Sequence, residues 1–195
     1  MKRTATPDRI IDSAFQTFSQ RGVLKSSLED VATAAGLTRV TIYRHFSNKE
    51  ALVAAVCQRI LRPFAHAAAM GPTVTMKQYD NWLLELLKEL RDLPVSQFLP
   101  CLAEIQNAFP DIHREFRRQR ESAIEQIFQN AMRVVREAGY WREELNPLVV
   151  QVIFRSSVIG LGENPQIVSA DISYEELCLT VIDVFRYGTL KADAR

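Results

Sequence analysis

Residues 27–52, SLEDVATAAGLTRVTIYRHFSNKEAL, constrain the chain more than any other stretch: they encode two short capped helices joined at a glycine and running into a third. Ser27 with Asp30 three residues on has capping-box spacing, in which hydroxyl and carboxylate each satisfy a backbone N–H left bare by the first helical turn. Leu28, Val31, Ala32 and Ala35 recur at helical intervals and mark one buried face. Gly36 follows, where a tight turn favours a residue without Cβ that adopts positive φ freely. Thr38 caps the second helix, and its Ile42 and Phe46 face the core. Val40 and Arg44 then point away from that core, flanked by Thr41 and Tyr43. Hydroxyls and cations on the outer face of a short helix suit a DNA groove, where they meet phosphates and base edges.

An amphipathic helix over 7–20, Gly22 in the following loop, Val31-Ala32, Ala35-Gly36-Leu37-Thr38, the run Thr41 to Glu50 and then Leu52 together resemble the TetR-like transcriptional regulators. The segment Tyr43-Arg44-His45-Phe46-Ser47-Asn48-Lys49-Glu50 is the most specific part. The resemblance implies an all-α protein: a three-helix helix-turn-helix head over 1–50 and a helical effector-binding and dimerisation bundle over 51–195. It also implies that Tyr43 and His45 lie near DNA phosphates, with Lys49 at the start of the next helix, where backbone amides already favour anions. On residue chemistry, Arg39 and Arg44 are candidates for bidentate guanine contact and Val40 for a thymine methyl. Ser27, Thr38 and Thr41 add hydroxyls at the helix starts. Local alternatives stand beside these: His45 packs within the head, or Arg44 pairs with an acid. The chain departs from the family at Val40, where glycine is common. Glu29 and Asp30 put negative charge where some relatives present basic or hydroxyl groups.

The charge balance is uneven in the expected direction. Residues 1–50 carry eight Lys and Arg against five Asp and Glu, and the remainder sixteen against eighteen. That pattern fits a DNA-binding head on a non-binding body. Cys57, Cys101 and Cys178 lie far apart, in no metal or redox spacing, and an odd number of thiols favours a reducing cytoplasm. No apolar run reaches the ~20 residues of a membrane span, and nothing of signal-peptide type follows the basic start with Lys2 and Arg3. A cytoplasmic protein without metal or cofactor is expected.

Helical patterns continue through the body: about 48–70, opened by a Ser47–Glu50 capping box and broken at Gly71-Pro72; 75–93, stopped by Pro94; 95–108; and 111–138, ending before Gly139. Asn146-Pro147 starts a helix to about 161, preferred over a strand for its length, and Ser173 with Glu176 opens the last, near 174–188. Both are apolar on almost every face, and a helix of that kind must be covered all round. Pairing with the same helices of a second copy provides the cover, the alternative being that both form the core of a monomer; the expected partners are a homodimeric copy, an inverted-repeat DNA operator and a small-molecule effector. Phe64, Tyr79, Trp82, Phe98 and Phe116 are candidates for an effector pocket, and Gln151 and Arg155 for either ligand contact or dimer register. Arg114, Arg117, Arg118 and Arg120 read as a solvated face with Glu121, the alternative being a site for an acidic ligand.

The reading that follows is a homodimeric repressor that leaves a palindromic operator when a small molecule binds. Alternatives are a ligand-responsive activator, a redox sensor using Cys101, and a helical protein-interaction module. An enzyme is not expected, because His45, His66 and His113 are scattered and no nucleophile elbow or phosphate loop occurs.

Overall fold

The computed structural model describes residues 6–69, 75–91, 95–170 and 172–191, which form ten α-helices. They are α1 (Thr6–Arg21), α2 (Leu28–Ala35), α3 (Arg39–His45), α4 (Lys49–Ala68), α5 (Met76–Arg91), α6 (Val95–Ala108), α7 (Pro110–Glu137), α8 (Pro147–Glu163), α9 (Pro165–Ser169) and α10 (Tyr174–Thr189). The fold is all-α. Gly71-Pro72, Pro94, Met70 and the Lys2-Arg3 start lie outside the described residues.

Two compact units divide the chain: Met1–Leu61 with Gln97–Arg117, and Arg62–Ser96 with Arg118–Arg195. Helices α4, α6 and α7 each pass from one unit into the other. In the first unit, Ile10, Ala14 and Phe18 of α1, Val31 of α2, Ile42 of α3 and Leu52, Val53 and Val56 of α4 are buried. Phe98 of α6 stacks on Phe15 of α1 with ring centroids 5.1 Å apart. Cys101, one turn further on, donates its thiol to the Phe18 carbonyl at 3.2 Å.

The helix starts are set by capping chemistry. Ser27, Thr38, Asn146 and Ser173 each accept a backbone N–H from the first turn of the following helix. At α4 the cap differs from expectation. Asn48, not Ser47, accepts the Ala51 N–H at 2.8 Å, because the helix begins one residue later and the donor at the third helical position is then Ala51. Helix α9, capped by Asn164, was not foreseen; its five residues are too few to show a period.

The second unit is built on a cluster of Phe128, Met132, Val135, Trp141, Val150 and Leu190. The Phe154 ring lies tilted against Phe128 at 5.2 Å and edge-on to Phe185 at 5.1 Å. A short antiparallel bridge between Trp141 and Leu190 closes this end, with the Lys191 N–H donating to the Tyr140 carbonyl at 3.0 Å. Asn130, almost fully buried, donates to the Ala68 carbonyl at 3.1 Å, so its amide is not left bare in an apolar interior. Arg91 of α5 grips Glu175 at the start of α10 through two nitrogens, and that pairing holds the Glu175 carboxyl below its usual range.

Arg114, Arg117 and Arg118 are exposed, but Arg120 is buried, against the expectation of a solvated face. Arg120 stands four residues after Phe116 and four before Ile124 on α7, in line with two buried side chains.

Candidate nucleic-acid interface

The α2–α3 pair is fixed by three local devices. The Ser27 N–H donates to Asp30 Oδ2 at 2.8 Å while the Asp30 N–H donates to Ser27 Oγ at 3.1 Å, a complete capping box. These bonds from Ser27, with help from Arg21, hold the Asp30 carboxyl below its ordinary range. Gly36 then ends α2 at φ +59°, and the Leu37 N–H returns to the Ala32 carbonyl at 2.9 Å. Thr38 accepts the Thr41 N–H at 3.2 Å, and the two hydroxyls lie 2.9 Å apart.

Helix α3 keeps one side in the core through Ile42, which has no exposed surface; burying such a side chain contributes about 1.5–3 kcal/mol. Its other side is open. Val40 is 69% exposed, Tyr43 is 43% exposed, and Thr38, Arg39, Arg44 and His45 are exposed beside them. The exposed Val40 thus stands beside exposed arginines and hydroxyls on one open surface. Arg39 is less available than Arg44. Its guanidinium donates to Glu29 at 2.9 Å and lies 5.3 Å from the Tyr43 ring centroid. The bond to Tyr43, then Glu29, raises its pKa. Glu29 is thereby neutralised by a neighbour on the same surface. Ser27 spends its hydroxyl within the capping box.

Lys49, the first residue of α4, is partly buried, and its ammonium donates to the Leu24 carbonyl at 3.2 Å. Burial lowers its pKa, opposed by the nearby carboxylates of Glu104 and Asp30. The structure therefore gathers Ser27, Thr38, Arg39, Val40, Thr41, Tyr43, Arg44, His45 and Lys49 on the α2–α3–α4 segment of the first unit.

The second unit holds a cavity of about 130 Å³. Phe64, Tyr79 and Trp82 line it, with Leu83, Leu86 and Leu87 of α5, Ile124, Ile127 and Phe128 of α7, and Phe154 and Val158 of α8. From α10 come Cys178, Val181, Ile182, Phe185, Arg186 and Thr189. The wall is nearly all apolar, with a single guanidinium from Arg186.

Phe98, Phe116, Gln151 and Arg155 are not part of this wall. Phe98 and Phe116 belong to the first unit, where Phe98 is taken up by Phe15. Gln151 exchanges hydrogen bonds with α7, accepting from Gln129 at 3.1 Å and donating to Glu125. Arg155 is exposed. Sequence reasoning placed the aromatic Phe128 near the pocket but missed the whole α10 lining and the aliphatic lining of α7. Its trace was present as the repeat Ile124, Ile127, Ala131, Val135, which cannot be told from ordinary core by spacing.

Burial pushes the Cys57 and Cys178 thiols up to about 12. Burial, reinforced by Glu104, takes Cys101 to about 11. A protonated, buried thiol is the opposite of the exposed electropositive setting that a redox sensor requires. Among the described residues no group of three His, Cys, Asp or Glu is placed to hold a metal ion, and no helix is long and apolar enough to cross a membrane.

Two capped helices across a glycine turn, the second with its outer face open, define a helix-turn-helix protein. Residues 10–56 match the family model described as bacterial regulatory proteins, tetR family. The chain is 33% identical over 130 residues to the HTH-type transcriptional regulator TtgR of Pseudomonas putida, an alignment covering 61% of this chain and 59% of that protein. It is 31% identical over 110 residues to RutR of Escherichia coli, covering 54% of this chain and 50% of RutR. The chain thus aligns with only about three fifths of the length of TtgR. In fold it is similar to SmeT, described as the repressor of the Stenotrophomonas maltophilia multidrug efflux pump SmeDEF, with a TM-score of 0.63, 21% identity and coverage of 98% and 94%. A complex of SmeT with triclosan superposes with a TM-score of 0.66 at 20% identity, covering 98% and 95%. Residues 10–56 thus resemble the DNA-binding segment of tetR-family regulatory proteins, and the fold as a whole is similar to that of SmeT.

Proposed function

We propose that this protein is a homodimeric transcriptional repressor whose heads hold an inverted-repeat operator and release it when a small, largely apolar molecule fills the cavity of the second unit. The observation that carries the reading is the open face of α3: Val40, Tyr43, Arg44 and His45 exposed on a helix anchored by a fully buried Ile42. Such a helix enters a major groove with its side chains already outside. Two copies about one DNA turn apart read a symmetric site, so the reading needs a dimer. Support for it comes from Leu148, Val149, Val152 and Ile153 on α8 and Leu179, Val184 and Tyr187 on α10, all large and exposed. The similarity to a repressor and to its triclosan complex supports the sign of regulation and the cavity's role.

The energy required is modest. A 100-fold loss of operator affinity needs about 2.8 kcal/mol of coupling, provided the effector binds the two states unequally. Pro63 of α4 lacks an N–H and so leaves one helical hydrogen bond unmade, two residues past the end of the first unit. That makes α4 a helix suited to bending between its two ends.

The test is selection of bound sites from randomised duplex DNA, followed by affinity against salt. Recovery of an inverted repeat with steeply salt-dependent binding is the expected result. Folded protein that enriches no sequence would sink the proposal and favour a protein-interaction module.

A further inference from the structure

The loop between α1 and α2 is held from a distant part of the chain. The Leu24 N–H donates to Glu104 Oε2 of α6 at 2.7 Å. Close approach is possible because residue 22 is glycine: at its φ of +84°, a Cβ would lie 2.6 Å from Glu104 Oε1. The loop is otherwise pinned by the fully buried Val23 and by the Ser26 hydroxyl, which donates to the Gly22 carbonyl at 2.7 Å. Leu24 is also the residue whose carbonyl takes the Lys49 ammonium at 3.2 Å. One peptide residue therefore carries a carboxylate on its N–H side and the interface lysine on its C=O side.

We infer that Glu104 is a positioning residue of the nucleic-acid interface: its carboxylate fixes the Leu24 residue, and the Leu24 carbonyl sets where the Lys49 ammonium stands for a DNA phosphate. This rests on the reading of the head as a DNA binder. It assigns α6 an indirect part in phosphate contact, exerted through the Leu24 residue. The lowered Lys49 pKa fits the geometry, since an ammonium in a partly dry site gains most from a fixed acceptor.

Glu104→Ala and Glu104→Gln remove the same negative charge, but only glutamine keeps an oxygen to accept the Leu24 N–H. The expected result is an operator affinity about tenfold weaker for Glu104→Ala, with a salt slope lower by about one phosphate contact. Glu104→Gln should stay near wild type. In a Lys49→Ala background, Glu104→Ala should cost little more, because both changes remove the same contact. Hydrogen exchange at the Leu24 amide of the free protein, faster in Glu104→Ala and unchanged in Glu104→Gln, reports the grip without DNA. Equal affinities for the two Glu104 variants, additivity with Lys49→Ala, or unaltered Leu24 exchange would each overturn the inference while leaving the DNA reading intact. A wild type that selects no site overturns both.

Discussion

Gly36 and Gly139 offer a matched pair for testing the turn that sets α3. Each ends a helix at positive φ, +59° and +74°. Each carries the same return bonds: Leu37 N–H to the Ala32 carbonyl at 2.9 Å, and Tyr140 N–H to the Val135 carbonyl at 3.0 Å. They differ in surroundings. A Cβ at Gly36 would meet Arg9 Nη2 at 2.9 Å, whereas nothing lies within 4 Å at Gly139. An L-residue in this backbone region costs about 1–2 kcal/mol, partly offset because alanine also has fewer unfolded conformations than glycine. The Arg9 contact adds little, since the end of a long side chain swings away. Gly36→Ala and Gly139→Ala should therefore each destabilise by about 1 kcal/mol, or about 2–4 °C in Tm for a chain of this size. Gly36→Asn should recover part of the loss, because asparagine tolerates the left-handed region. The assay is urea unfolding at one fixed protein concentration, so that self-association does not enter the comparison. A Gly36→Ala protein that unfolds with the wild type would refute the positive-φ turn. A cost at Gly36 exceeding that at Gly139 by more than about 1 kcal/mol would show instead that Arg9 is fixed and the site crowded.

Arg44→Ala should leave thermal unfolding unchanged and lower discrimination at one operator base pair by about 1–3 kcal/mol, measured with single-base operator variants; unchanged preference would remove Arg44 from base reading. Val184→Arg together with Val149→Arg should shift the protein from dimer to monomer in sedimentation equilibrium, because both sites are more than half exposed in one chain; an unaltered dimer would place the subunit contact elsewhere. Cys101, with its thiol pushed up to about 11, should alkylate on the order of a hundredfold more slowly at pH 8 than an ordinary thiol, and unfolding by urea should restore the ordinary rate. The folded state holds that proton more tightly than the unfolded state, so its contribution to stability is full below the ordinary thiol pKa and is lost as pH rises from about 9 towards 11. A fast native reaction at Cys101 would revive the redox alternative.

What was legible in the sequence follows from how local its cause is. The caps at Ser27, Thr38, Asn146 and Ser173 depend on a residue type and a spacing of two or three, so they are readable directly. Ser47 and Asn48 are both good caps, and choosing between them requires knowing where the chain enters α4. The open face of α3 follows from the buried position of Ile42 by helical geometry alone. The cavity does not. Phe64 lines it and Phe98 packs on Phe15, yet as sequence the two are equivalent: large apolar residues on amphipathic helices. Whether an aromatic faces a void is decided by which helices meet it. The grip of Glu104 on Leu24 spans eighty positions, a separation at which no pattern rule operates.

The α8–α10 pair ties the cavity to the surface expected to join subunits. On α10, Cys178, Val181, Ile182 and Phe185 turn to the cavity while Leu179, Val184 and Tyr187 are exposed. On α8, Val150, Phe154 and Val158 line the cavity while Leu148, Val149, Val152 and Ile153 are exposed. Helices that are apolar all round thus resolve into two working faces rather than one buried core. A close-packed helix transmits displacement because its side chains have few alternative arrangements. Phe154 packs between Phe128 and Phe185 and so joins α7, α8 and α10 along one wall of the cavity. On the proposed function, a molecule that displaced either helix on entering the cavity would shift the outer apolar row, and by linkage the strength of a subunit contact made there would change the affinity for the molecule by the same factor.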